Sequence, residues 1–141
     1  GTFTGVRIGL AAARGLALAL RIPGIGVTTL EDVWRGARAS RRVLVALECK
    51  RHELAVQLFG SAGETLSEPA LLAPEALTFD PPFALAGDGA PRAAAQLKGA
   101  EILDVPPLPD AAVVAALAAE RLGAKADAPL RPLYLRAPDT T

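Results

Sequence analysis

Two apolar runs, RRVLVALE (41–48) and ELAVQLFG (53–60), are separated only by the polar CKRH, and they constrain the fold more than any other feature. Such runs bounded by a short charged turn read as a β-hairpin, and a third extended stretch follows near ETLSEPALLA. FALAGDGA then reads as a buried strand breaking into a Gly-Asp-Gly turn. APRAAAQLKG supplies a helix and AEILDV a further strand. A hairpin followed by alternating strand and helix predicts an α/β fold, a mixed sheet with helices packed on it. Before the hairpin, GIGVTT reads as a short strand or loop, and LEDVWRGARA as a helix starting near Thr29, whose hydroxyl can cap it. After the sheet, PPLP (106–109) is a linker. DAAVVAALAAERLGAKA is a helix capped by Asp110 and stopped at Gly123, and PLRPLYLRAP an extended tail. The 141 residues suit one domain, or one and a piece, and contain no internal repeat. Only six are aromatic, so Ala, Leu and Val must build the core.

The first segment, GTFTGVRIGLAAARGLALAL, does not belong to that pattern. It predicts a helix from Thr4 to about Arg21, with Thr2 or Thr4 as cap and Pro23–Gly24 as stop. Steps of four place Gly5, Gly9, Ala13 and Ala17 along one side, where two backbones can approach closely. Each helical glycine costs about 0.5–1 kcal/mol relative to Ala, so close packing is the expected compensation. Yet no strand precedes this helix to provide a sheet beneath it. Arg7, Arg14 and Arg21 share a face with little drift per heptad. Such a stripe is ordinarily solvated, and the alternative is a set of partners for acidic groups on another chain or for RNA phosphate. The arginines also interrupt the apolar run, so no membrane span is expected. Fifteen basic and fifteen acidic side chains cancel, which removes the usual electrostatic reason for unaided binding to nucleic acid or an anionic membrane. A single cysteine, Cys49, excludes an internal disulfide framework and fits a reduced compartment, so a soluble cytoplasmic protein is expected. With Gly first and no Met, the encoded start is expected to lie upstream or to have been removed.

Residues with chemical potential are few. ECKRHE (48–53) holds the only Cys and the only His, but a Cys–His nucleophile needs converging side chains and a metal site needs ligands from several elements. Neither a catalytic residue nor a metal ligand is assigned, and no cofactor is expected. AGDGA (86–90) and GTFTG (1–5) invite a phosphate-loop reading, without the spacing or the Lys of a Walker loop. In AGDGA the preferred reading is a strand-to-helix turn in which the glycines relieve backbone strain. Arg35, Arg38, Arg41 and Arg42 form a second basic cluster with Trp34 as the only nearby aromatic, and Asp80 and Asp88 are the loop acids to consider for Mg²⁺.

GTFTGVRIGLAAARGLALAL followed by IPGIGVTTLE, then RRVLVALE, LAGDGA and the closing PLYLRAPD, resembles the bacterial TsaB (YeaZ) family over essentially the whole chain. The resemblance implies the actin-like ATPase superfamily, whose lobes are mixed sheets of the ribonuclease H kind with flanking helices. Residues 1–25 would then be a helix of a truncated first lobe, its sheet lying in a segment not given, and residues 26–141 the second lobe with its tail. It implies a non-catalytic scaffold that pairs with a TsaD-like subunit in threonylcarbamoyladenosine modification of tRNA beside the anticodon. A TsaE-like ATPase belongs to the larger complex, and tRNA is met only through that complex. The partner-binding residues are then Gly5, Arg7, Gly9, Ala13, Arg14 and Ala17, and a homodimer through the same helix is a further expectation. The hairpin tip at Glu48–Glu53 departs from the family's usual Asp-Ala-Arg pattern. Two other readings stay open: a nucleotide-hydrolysing or glycoprotease-like enzyme with its active residues in the absent lobe, and an autonomous tRNA-binding module using the arginine clusters.

Overall fold

The computed structural model describes residues 3–80, 83–106, 108–125 and 128–135. Helix α1 spans Phe3–Leu20 and α2 Thr29–Ala37; strands β1 to β5 are Val43–Glu48, Leu54–Phe59, Ala70–Leu72, Ala84–Ala86 and Glu101–Ile102. A single 3₁₀ turn covers Pro74–Ala76, and helices α3 and α4 cover Ala90–Ala94 and Ala111–Gly123. Two compact units result, one from Gly1–Thr28 with Ala111–Tyr134 and one built on Thr29–Asp110. Helix α4 therefore groups with α1.

In the second unit the strands form one sheet in the order β3-β2-β1-β4-β5. The predicted hairpin is present, β1 and β2 running antiparallel from Val43 opposite Phe59 to Glu48 opposite Leu54. β3 extends it antiparallel, whereas β4 pairs parallel with β1 and β5 parallel with β4. β1 lies at the centre, and its first four residues are fully buried. Side chains alternate across a strand, so Leu44 and Ala46 join one core with Leu54, Val56, Phe83 and Leu85, roofed by Ala90 and Ala93 of α3. Val43 and Val45 point the other way, into a core with Leu30, Phe59, Ala84 and Ala86. Val33 and Trp34 of α2 pack on that second core, and Trp34 stacks on Phe59 with ring centroids 5.7 Å apart. A run buried on both faces is the mark of a central strand in a mixed sheet.

Several boundaries differ from the sequence reading. Of the two forms offered for GIGVTT the loop is found, and β5 keeps only Glu101–Ile102 of AEILDV, although the Leu103 N–H still donates to Leu85. α3 stops at Ala94, where APRAAAQLKG suggested a helix running on toward Gly99, and Gly99 adopts a left-handed φ of 85° before β5. Thr29 is the first residue of α2 and Thr4 lies inside α1; Thr2, the other candidate cap, falls outside the described residues. Helix ends are made by basic residues with left-handed φ: Arg21 after α1, Arg38 after α2 and Lys125 beyond α4. Glycine is the usual occupant of that position, so α1 and α2 end without the residue that normally announces it, whereas α4 ends at Gly123 as predicted. The Ile22 N–H reaches back to the Ala17 carbonyl at 3.0 Å and closes the last turn of α1 ahead of Pro23.

Asp32 is the one buried acid among the described residues, 4 % exposed. Its carboxylate accepts the Asp110 N–H through both oxygens at 3.3 Å. Burial pushes the carboxyl above its ordinary 3.8, while the Asp110 N–H pulls it down and the Asp110 charge raises it further. A raised folded-state value means that the folded chain holds this proton more tightly than the unfolded chain. Its contribution to stability is present below the unfolded value and is lost as pH rises through the folded one. Urea unfolding of Asp32→Asn across the acidic range is expected to show a flatter pH dependence than wild type just above pH 3.8. Identical slopes would remove Asp32 as the source.

Candidate docking helix

No residue of α1 is buried, although its sequence is almost wholly apolar or small. Only Leu10, Ala13 and Ala17 are half-buried, and these lie on one flank. The opposite flank carries Gly5, Ile8, Gly9, Ala12, Leu16 and Ala19 at helical spacings of three and four, all exposed. Ile8 and Leu16 are 64 % and 63 % accessible. A Cβ added at Gly9 or Gly15 would meet nothing within 4 Å, so the packing expected to compensate those glycines is not made among the described residues.

The predicted stripe Gly5, Gly9, Ala13 and Ala17 is divided between these flanks. Each step of four residues rotates about 40° beyond a full turn, so the stripe winds round the helix. Gly5 and Gly9 face outward; Ala13 and Ala17 lie on the side along which residues 128–134 run. Three residues that complete the uncovered face, Ile8, Ala12 and Leu16, were not singled out from the sequence. Alternating three- and four-residue spacing was the signal that would have found them.

The arginine stripe also changes character. Arg14 donates from Nε to the Leu130 carbonyl at 2.9 Å and again from Nη2. Arg7 sits over the Phe3 ring, 5.3 Å from its centroid, and Phe3 pairs with Tyr134 at 5.4 Å. Arg21 has left the helix for its left-handed cap. Of the three, only Arg7 and Arg14 lie within α1, and both contact their own chain. By length and composition α1 is nevertheless long and apolar enough to cross a bilayer, contrary to the expectation that its arginines break the run. Two arginines within the span oppose insertion at about 2.5–3.5 kcal/mol each near the helix centre.

The other candidates are absorbed by structure. In the hairpin tip His52 Nε2 meets Glu75 at 2.8 Å, Arg92 donates to Glu48 at 2.6 Å and also to the His52 carbonyl, and the Glu48 N–H donates to Asp88. Its own backbone and the His52 contact hold the Glu75 carboxyl below the ordinary carboxylate range. The Cys49 Sγ lies 4.0 Å from the Leu47 carbonyl, so Cys and His contact different groups. In AGDGA the Gly89 and Ala90 N–H groups donate to Ala46 and Gly87, and Asp88 accepts Glu48. The loop's donors serve the turn, which favours the strain-relief reading over a phosphate cradle. Arg41 pairs with Glu101, Arg42 donates to the Asp80 carbonyl, and Arg35 lies over Trp34 at 6.0 Å, so three of the four arginines of the second basic cluster are tied into their unit. Among the described residues no three His, Cys, Asp or Glu are grouped to hold a metal. A shallow notch of about 190 Å³ is lined by Phe79, Phe83, Gln96, Leu97, Lys98 and Ala100, with no acid–base pair.

Residues 1–118 match the family described as TsaD, tRNA N6-adenosine threonylcarbamoyltransferase. The chain belongs to this family. Within it the chain is a TsaB/YeaZ homologue, 46% identical over 57 residues to the Escherichia coli tRNA threonylcarbamoyladenosine biosynthesis protein TsaB, which covers 38% of this chain and 25% of that one. An uncharacterized Mycobacterium tuberculosis protein is 36% identical across 99% of this chain and 61% of its own length. Two Pseudomonas aeruginosa structures superpose on 96% of the chain and 69% of theirs. A protein described as similar to peptidase YEAZ gives a TM-score of 0.81 at 26% identity, and YeaZ itself 0.79 at 27%. The TsaB/YeaZ homologue thus spans about a quarter and three fifths of these two curated relatives' lengths. Its fold is that of the actin-like ATPase superfamily, a ribonuclease H-like mixed sheet with flanking helices.

Proposed function

We propose that this TsaB/YeaZ homologue is a non-catalytic scaffold in threonylcarbamoyladenosine modification of tRNA, docking a TsaD-like subunit through α1. The observation that carries the reading is the uncovered apolar face of α1 in a chain of this family. An exposed small-and-apolar stripe fits close packing against another helix. The docking patch comprises Gly5, Gly9, Ala13 and Ala17, with Arg7 and Arg14 at its border and Ile8, Ala12 and Leu16 beside it. Residues 1–25 belong on this reading to a first lobe and residues 26–141 to the second, with Ala111–Tyr134 forming a compact unit with α1. A TsaE-like ATPase joins the larger complex, tRNA is engaged through that complex, and the location is cytoplasmic. A second copy of the chain is the competing occupant of the same patch.

Co-purification with the host's TsaD-like subunit tests this. Ile8→Glu with Leu16→Glu places two charges on the uncovered face and is expected to weaken the complex at least tenfold while leaving the sheet unit's unfolding unchanged. Arg14→Glu is a poorer probe, because that side chain clasps Leu130. Retention of full affinity by the double variant would overturn α1 as the docking element. Light scattering of the same pair of proteins reads self-association.

A further inference from the structure

Residues 128–134 run along α1 in the opposite direction to it. Ala128 accepts the Gly26 N–H at 2.7 Å, Leu130 meets Arg14 and Gly24, and Tyr134 meets Phe3 near the helix start. The loop after α1 is shaped to this segment. A Cβ at Gly26 would lie 2.3 Å from the Pro129 carbonyl oxygen, and one at Gly24 would lie 2.3 Å from the Leu130 Cδ1. Arg121 of α4 holds the same loop through the Gly26 carbonyl at 2.6 Å. A Cβ built on Gly24 would also lie 3.9 Å from the Ala17 Cβ, so Leu130 and Ala17 approach the same point and the segment borders the half-buried flank at Ala17.

The contacts that hold the segment are mostly hydrogen bonds to backbone carbonyls, and every residue in it is half-buried or exposed. A region with few buried apolar contacts and solvent-accessible hydrogen bonds opens at far lower free energy than a core. We propose that Ala128–Tyr134 is a displaceable strap that competes with the partner helix for the Ala13–Ala17 half of the docking patch. This rests on the docking reading given above. A partner that needs the whole stripe binds only the opened form, so its apparent affinity is lowered by the fraction of molecules that are open. The strap therefore sets a threshold for assembly.

The test compares locked, free and loosened straps in binding to the purified TsaD-like subunit. With Cys49→Ser as background, Gly24→Cys and Leu130→Cys lock it, since the Leu130 Cγ lies only 2.9 Å from the Gly24 Cβ position. The oxidised form is expected to bind at least tenfold more weakly than its reduced form, and Gly26→Ala severalfold more tightly than wild type. Hydrogen exchange at the Gly26 amide, which donates to Ala128, verifies attachment without any partner: slow in the locked form, accelerated in a chain ending before Ala128. Equal affinity in oxidised and reduced forms, with exchange showing the lock in place, would overturn the strap. Binding by none of the forms, the shortened chain included, would instead overturn the docking reading and the competition that depends on it.

Discussion

Gly87→Ala is expected to cost about 4 kcal/mol, enough to unfold the sheet unit at a urea concentration the wild type withstands. Gly87 has φ 106°, a conformation that side chains disfavour, and its Cβ would lie 2.2 Å from the Ala46 carbonyl oxygen of the central strand. That oxygen accepts the Gly89 N–H at 3.0 Å, and moving it would disturb β1 where β4 pairs with it. Neither group can retreat, because one is backbone in the turn and the other backbone in the buried strand. Urea unfolding followed by far-UV circular dichroism measures the effect. An Ala variant with the wild-type midpoint would show that the turn is not confined as described.

Phe59→Ala comes next, with an expected loss of about 3–5 kcal/mol. Phe59 is 1 % exposed, ends β2 opposite Val43 and carries the stacked Trp34 ring. Gly63 presses on the other part of that indole: its Cβ would sit 2.3 Å from Trp34 Cη2, so the ring is held between a phenyl group and a backbone turn. Since Trp34 is the single tryptophan, its emission should shift to the red in the folded variant while the urea midpoint falls. A fall in midpoint without the spectral change would mean that the stack is not the contact being lost.

The sheet was legible in the sequence because its information is local. Val43–Glu48 and Leu54–Phe59 are apolar runs ended by charge, and Gly87–Gly89 marks the turn out of β4. Less was legible where a tertiary contact decides. β5 keeps only Glu101–Ile102 of AEILDV, and no propensity in that run marks the end of its pairing. Arg21 and Arg38 take left-handed positions that glycine usually holds, so no local residue preference announces the ends of α1 and α2. On α1 the four-residue stripe was real in sequence but wound across two environments, and the division became visible only once Leu130 was placed against Arg14. That contact joins positions 116 residues apart, beyond the reach of any periodicity.

The two margins of the sheet bear on what kind of assembly the chain can enter. β3, on one margin, is three residues long with Pro69 before it and Pro74 after it; β5, on the other, is two residues long and is followed by Pro106. Prolines donate no hydrogen bond, and so short a margin gives an incoming strand almost no ladder to continue. Strand-to-strand growth into fibres is thereby disfavoured at both described margins, so a concentrated solution of this protein is expected to form little cross-β material.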